Sequence, residues 1–264
     1  MLALAAVPRG PFAAVLIQRA LETPERVVRL AALRASERSA VAGNTALLER
    51  VWSTDTKDPY LAVLCLRALV AARRDLAVPG LLEYERRFGD ALLRRHSDEL
   101  LDLVPGTAVR TWSAQGLLAS DGAPQPPPGD APGTGRDGEP RPWRELAADE
   151  RGFLDLARLA GPEETSEGAR ALAQVWLRAD RPRRVAACFG TDDQGRVWLN
   201  ETLVHESRDA HGAHPLEKLV ELELAAGWNR LLFEVHNERG EFGLYCRILD
   251  PSVTVATVPD ASGR

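Results

Sequence analysis

The hydrophobic period changes along this chain, and that change limits the possible folds more than any other feature. From residue 10 to about 104 apolar residues recur at helical spacing, whereas from Arg141 onwards they recur at every second position. Val220-Glu-Leu-Glu-Leu224 is the clearest case: its apolar side chains point one way, while Glu221 and Glu223 point the other. Ala171, Ala173, Val175 and Leu177 alternate with Leu172, Gln174, Trp176 and Arg178. The same rule covers Val185, Ala187 and Phe189, then Leu231, Phe233 and Val235, and lastly Phe242, Leu244, Cys246 and Ile248. Turn residues separate these runs at Asp192-Asp-Gln-Gly195, Asn200-Glu201, Ala226-Gly227 and Asn237-Glu-Arg-Gly240. Short alternating strands divided by turns predict an antiparallel sandwich rather than a parallel α/β sheet.

The first part of the chain reads as paired helices. In Pro59–Ala72, Leu61, Leu64, Cys65, Ala68, Leu69 and Ala72 share one helical face, and Asp58 stands as N-cap before a proline at the first helical position. Thr23-Pro24 with Val28, Ala31, Ala32 and Ala35 repeats this arrangement, and Ala46-Leu-Leu-Glu49 recurs as Gly80-Leu-Leu-Glu83. Two copies of a helix pair predict a short α-solenoid, with a plain helical bundle as the alternative. The region resembles HEAT repeats through Pro24, Val28-Arg29, Ala32 and Ala35, although the second copy has Leu61-Ala62 where that family usually shows Val-Arg. Residues 89–103 are expected to form the last helix before Pro105-Gly106.

The stretch from 120 to 142 is too rich in proline and glycine to continue an element, and a disordered loop is expected there. Val109-Arg-Thr-Trp-Ser113, ahead of it, has the look of a strand, so the domain boundary is placed near residue 106. The expected division is a helical-repeat domain over 1–105, a sandwich over 106–254 and a flexible tail over 255–264. The fold class is thus α+β by separate domains.

Composition narrows the functional classes. With 45% hydrophobic and 27% charged residues, the chain has the make-up of a soluble globular protein. Residues 1–105 carry 15 Lys+Arg against 13 Asp+Glu, and the remainder 18 against 25, giving +2 and −7. Neither balance, nor any basic cluster interleaved with aromatics, suits nucleic acid. Met1–Leu21 is broken by Pro8, Arg9, Gly10, Pro11 and Arg19, so no membrane insertion is expected. It also lacks the basic start and apolar centre of a secretion signal. The expected compartment is cytoplasmic as written, or extracytoplasmic if a leader precedes this sequence. Cys65, Cys188 and Cys246 have no CxxC spacing and fall on apolar faces; buried thiols are expected, and a disulfide would need Cys188 and Cys246 to meet across the sandwich.

Gly190-Thr-Asp-Asp-Gln-Gly-Arg-Val-Trp-Leu-Asn200, Leu203-Val-His-Glu206, Gly227-Trp-Asn-Arg-Leu-Leu232 and Phe242-Gly-Leu-Tyr245 together resemble galactose-binding-like jelly-roll domains. These are accessory modules of bacterial hydrolases and planctomycete proteins. The resemblance covers roughly residues 107–251 and implies a non-catalytic domain that binds sugars, other proteins or a neighbouring domain. Two departures stand out. The usual Asn-Gly hairpin turn is Asn200-Glu201, and the loop that often carries a tryptophan is Glu238-Arg-Gly-Glu-Phe242.

No motif assembles a catalytic site: there is no Gly-x-Ser-x-Gly elbow, no reactive cysteine setting and no phosphate loop. The candidate ligand-binding residues are Asp192, Asp193 and Asn200, weighed against a solvated turn in which aspartates bond nearby amides. His205, His211 and His214, with Asp209, lack the spacing of a recognised ligand set, so no metal and no cofactor are expected. Trp176, Trp198 and Trp228 read as sandwich core or rim. The expected function is a non-catalytic scaffold whose partner is another protein, bound through the helical repeats and the sandwich. The alternative is a carbohydrate-binding accessory module of a hydrolase.

Overall fold

The computed structural model describes residues 11–39, 44–54, 57–119, 131–208 and 210–259. The chain divides into two compact units, Met1–Pro105 and Gly106–Arg264. It is α+β, with helices first and antiparallel sheets after them.

Among the described residues the first unit holds α1 (Pro11–Glu22), α2 (Arg26–Ser39), α3 (Thr45–Thr54), α4 (Pro59–Ala72), α5 (Ala77–Phe88), α6 (Asp90–Arg95) and α7 (Ser97–Leu101). The N-cap of α4 is the predicted one: Asp58 Oδ1 accepts from the Tyr60 and Leu61 amides at 3.1 and 3.2 Å. Helix α4 is buried nearly all round, from Leu61 to Val70, because α2, α3 and α5 pack against it. Helix α5 approaches closely through Gly80, where a Cβ would lie 2.2 Å from Leu66 Cδ1. The single last helix expected over 89–103 is instead α6 and α7. The chain leaves helical geometry at His96, whose φ is −108° and ψ 17°.

The second unit contains β1 (Thr107–Ala108), β2 (Thr111–Leu118), β3 (Gly133–Thr134), β4 (Pro140–Arg141), β5 (Arg144–Ala147), β6 (Phe153–Asp155) and β7 (Ala169–Ala179). It continues with β8 (Arg183–Thr191), β9 (Gln194–Leu199), β10 (Thr202–Ser207), β11 (Lys218–Leu224), β12 (Gly227–Asn237), β13 (Gly243–Ile248) and β14 (Thr254–Ala256). One sheet runs β1-β13-β8-β11, with β6 also on β13; the other runs β10-β9-β12-β7-β2-β5, with β14 on β7. Strand β11 is an edge, and Glu221 and Glu223 on it are exposed.

The inward positions of both sheets meet in one apolar core, as the alternation requires. Phe233 lies at its centre, edge-on to Trp112 at 5.5 Å and to Phe189 at 5.4 Å. The β9–β10 turn has both central residues at positive φ, Asn200 at 48° and Glu201 at 73°, which a two-residue hairpin of this twist demands.

Two further expectations are corrected, and the expected buried thiols are found. Residues 131–142 are not structureless: β3 pairs with β4, Leu118 bridges to Gly135, and the Gln115 side chain accepts the Gly133 amide at 2.7 Å. Residues 120–130 of that stretch lie outside the described residues. The expected tail begins with a strand, since β14 pairs with β7, although 260–264 also lie outside the described residues. Cys188 and Cys246 do not face each other across the sandwich. They sit on neighbouring strands of one sheet, where Cys246 opposes Phe189 and Cys188 opposes Arg247, so their side chains leave opposite faces. Both are buried thiols.

Candidate functional site

The predicted candidates do not come together. Asp192 and Asp193 precede β9 and Asn200 follows it, so the length of that strand, about 20 Å at its rise per residue, separates them. Asn200 is spent on the fold: its Oδ1 accepts the Arg230 amide at 2.9 Å and its Nδ2 donates to Asn229 Oδ1 at 2.8 Å. Asp193 Oδ2 accepts the Glu238 amide at 2.6 Å, and its own amide donates to the His211 carbonyl at 2.7 Å. Asp192 is only 3% exposed. Burial, reinforced by the neighbouring carboxylates of Asp193 and Glu241, pushes it up to about 6. Among the described residues, no group of three His, Cys, Asp or Glu is placed to hold a metal ion.

The histidines scatter as well. His205 packs on the Phe189 ring at 5.3 Å, His211 Nε2 lies 3.3 Å from Glu217 Oε1, and Asp209 is outside the described residues.

A concave surface lies on the outer face of the sheet that contains β7. Leu118, Leu172, Trp198 and Leu232 form a small second apolar cluster there, and Trp143 packs over it. Period two places these residues outward, and the β3–β4 segment, bridged to Leu118 through Gly135, leads into Trp143. Beside Trp143 opens a cavity of about 240 Å³, lined by Trp143, Trp176, Gln174, Ser113 and Thr257 and by the apolar Val258, Pro132 and Pro142. Trp176 is half-buried, as a rim residue should be, and Trp198 is buried.

The polar wall of this cavity is braced by its neighbour on the same sheet face. Arg230, 8% exposed, donates its Nε to Gln174 Oε1 at 2.6 Å. Further along the same face Glu234, 1% exposed, meets Arg170 at 3.1 Å, Arg196 at 2.8 Å and His236 Nε2 at 2.9 Å. Burial works against its ionisation, but His236, Arg170 and Arg196 together hold it below the usual carboxylate range. Two indole rings, an amide and two hydroxyls around one slot can stack on the apolar face of a small ring and bond its hydroxyls. Sequence reading missed this site. Its signal was Trp176 alternating outward among polar residues, but nothing in the spacing places Trp143 beside it.

No family model matches the chain, and no curated protein matches it. Among solved structures it is similar to the PA14 sugar-binding domain from an RTX adhesin, at 13% identity over 56% of this chain and 95% of that one, with a TM-score of 0.33. It is also similar to a family 35 carbohydrate binding module from an environmental isolate, at 15% identity over 36% and 76%, TM-score 0.27. A third is the PA14 domain of the MpAFP antifreeze protein, at 10% identity over 33% and 52%, TM-score 0.26. The chain spans about half the length of that last domain, and 47% of an anti-sigma factor domain-containing protein to which it is also similar. None of these likenesses carries a ligand or partner over to this chain.

Proposed function

We propose that this chain is a non-catalytic binding protein whose sandwich recognises carbohydrate in the slot between Trp143 and Trp176. The observation that carries this reading is the lining itself: two tryptophans face a cavity of about 240 Å³ whose other walls combine the polar Gln174, Ser113 and Thr257 with the apolar Val258, Pro132 and Pro142. That volume falls just below the usual range for small-molecule sites, which suits one sugar ring better than an extended ligand. Calorimetry of the full chain against neutral mono- and disaccharides, guided by a glycan array, tests it. Saturable binding that weakens at least tenfold in Trp176→Ala, with an unchanged circular dichroism spectrum, supports the reading. Absence of any binding on the array, or binding indifferent to Trp176, sinks it.

A second reading, a protein partner on the helical repeats, is favoured by one observation. Val15, Leu16 and Val27 are 51%, 50% and 55% exposed on α1 and α2. On this reading the 1–105 region is the scaffold and the sandwich over 106–254 its accessory. Partner capture lost in Leu16→Glu and kept in Trp176→Ala would separate the two roles.

A further inference from the structure

The turn between β8 and β9 carries a buried carboxyl that the carbohydrate reading does not use. Asp192 Oδ2 is fully enclosed and has no hydrogen-bond partner among the described residues. Its backbone is fixed, since the Asp192 amide donates to the Gly243 carbonyl at 2.9 Å. The segment leading from β10 into β11 lies directly on this turn: the Asp193 amide donates to the His211 carbonyl at 2.7 Å. The Ala213 amide reaches the Asp192 carboxyl and favours its ionised form, but burial and the neighbouring carboxylates outweigh it. The fit leaves no room, for a Cβ on Gly190 would stand 2.0 Å from the His214 carbonyl oxygen.

The charges around Asp192 are mostly of its own sign. Asp193 adjoins it in the turn, and Glu241 faces it from the segment before β13. Glu217, 5% exposed, belongs to the overlying segment but sits over Gly190, with His211 Nε2 at 3.3 Å from its Oε1. Arg239 and Glu238 approach through their amides, which both bond Asp193 Oδ2. A neutral Asp192 is compatible with this enclosure; an ionised one is a buried charge beside other carboxylates.

We propose that Asp192 is a proton-operated latch: while protonated it lets residues 210–217 close on the Thr191–Asp193 turn, and on ionisation it drives that segment open. The closed state loses stability as pH rises from the ordinary carboxylate value up through about 6, the value to which burial and the adjacent carboxylates push the group. The latch is independent of the Trp143–Trp176 slot and stands or falls without it.

Hydrogen exchange of the full chain, corrected for intrinsic rates, tests the latch through the peptide spanning β10 and β11. Protection of residues 210–217 should fall at least tenfold between pH 4 and pH 7.5, the fall beginning near the ordinary carboxylate value and levelling off a little above 6. Asp192→Asn, which has the same shape and no charge to gain, should keep its pH 4 protection at pH 7.5. Equal protection at both pH values in the wild type overturns the proposal, as does an unchanged pH dependence in Asp192→Asn. So does recovery of protection at pH 7.5 by millimolar calcium, which would make Asp192 a cation ligand instead. Should the variant fail to fold, a carbon-13 titration of the wild-type Asp192 carboxyl decides: a midpoint near 6 supports the latch, and one below 4.5 overturns it.

Discussion

Asn200 and Asn229 hold each other side chain to side chain: Asn200 Nδ2 donates to Asn229 Oδ1 at 2.8 Å, tying the β9–β10 turn to the start of β12. Asn229 is wholly buried and also accepts the Ala225 amide at 2.8 Å while donating to the carbonyls of Ala225 and Gly227 at 2.9 and 3.1 Å. Asn229→Ala would leave several enclosed polar groups without partners. The expected cost is about 3 kcal/mol, read from the urea midpoint at constant slope. A change under about 1 kcal/mol would mean that water satisfies them.

Glu201 sits at φ 73°, a region that costs residues with a Cβ. Glu201→Gly should therefore stabilise the protein by about 1 kcal/mol, raising the melting temperature by a few degrees. A loss of stability would show that the glutamate side chain makes a compensating contact.

Glu234 couples stability to acidity. Its folded-state pKa is lowered, so its contribution is present above the ordinary carboxylate pKa and is lost as pH falls through the lower folded value. Glu234→Ala leaves Arg170 and Arg196 facing one another and should cost about 3 kcal/mol at pH 7. That difference should shrink steadily towards pH 2 in denaturant titrations. A cost that stays constant with pH would place its origin in packing.

Gly190→Ala meets backbone rather than a movable side chain, since the new Cβ would overlap the His214 carbonyl oxygen at 2.0 Å. A destabilisation of about 3 kcal/mol or more is expected, with proteolysis appearing first between β10 and β11. A neutral result would show that this segment already stands away from the strand in solution.

Asp58 serves the helical unit as a cap and is held below the usual carboxylate range, foremost by its hydrogen bond to Arg26. Asp58→Ala should cost about 1 kcal/mol at pH 7. The effect should fade as pH drops through the lowered folded-state value, because a protonated aspartate is a poorer cap. Circular dichroism melts at pH 7 and pH 3 read both numbers.

Local chemistry made some of this structure readable in advance. Helix α4 runs over the expected Pro59–Ala72 because its cap, proline and apolar stripe are all local signals. Strands β7, β8, β11, β12 and β13 follow their alternation for the same reason. What stayed hidden depends on distant partners. The β3–β4 hairpin is two residues per strand and is anchored by the Gln115 side chain, so composition alone reads it as a break. The slot at Trp176 needs Trp143 to arrive from another part of the chain, and no periodicity reports that meeting. Asn200 looked like a ligand contact because an asparagine in a turn serves recognition and folding equally well. Only its two internal bonds decide between them.

The edge strand β11 bears on how copies of this protein behave when crowded. Its backbone hydrogen-bonding groups on one side have no neighbouring strand among the described residues, an arrangement that invites templated growth of fibres. A second molecule joining there would bring two rows of Glu221 and Glu223 side by side. Repulsion between those rows, tempered at Glu223 by its ion pair with Arg184 at 2.8 Å, works against such stacking.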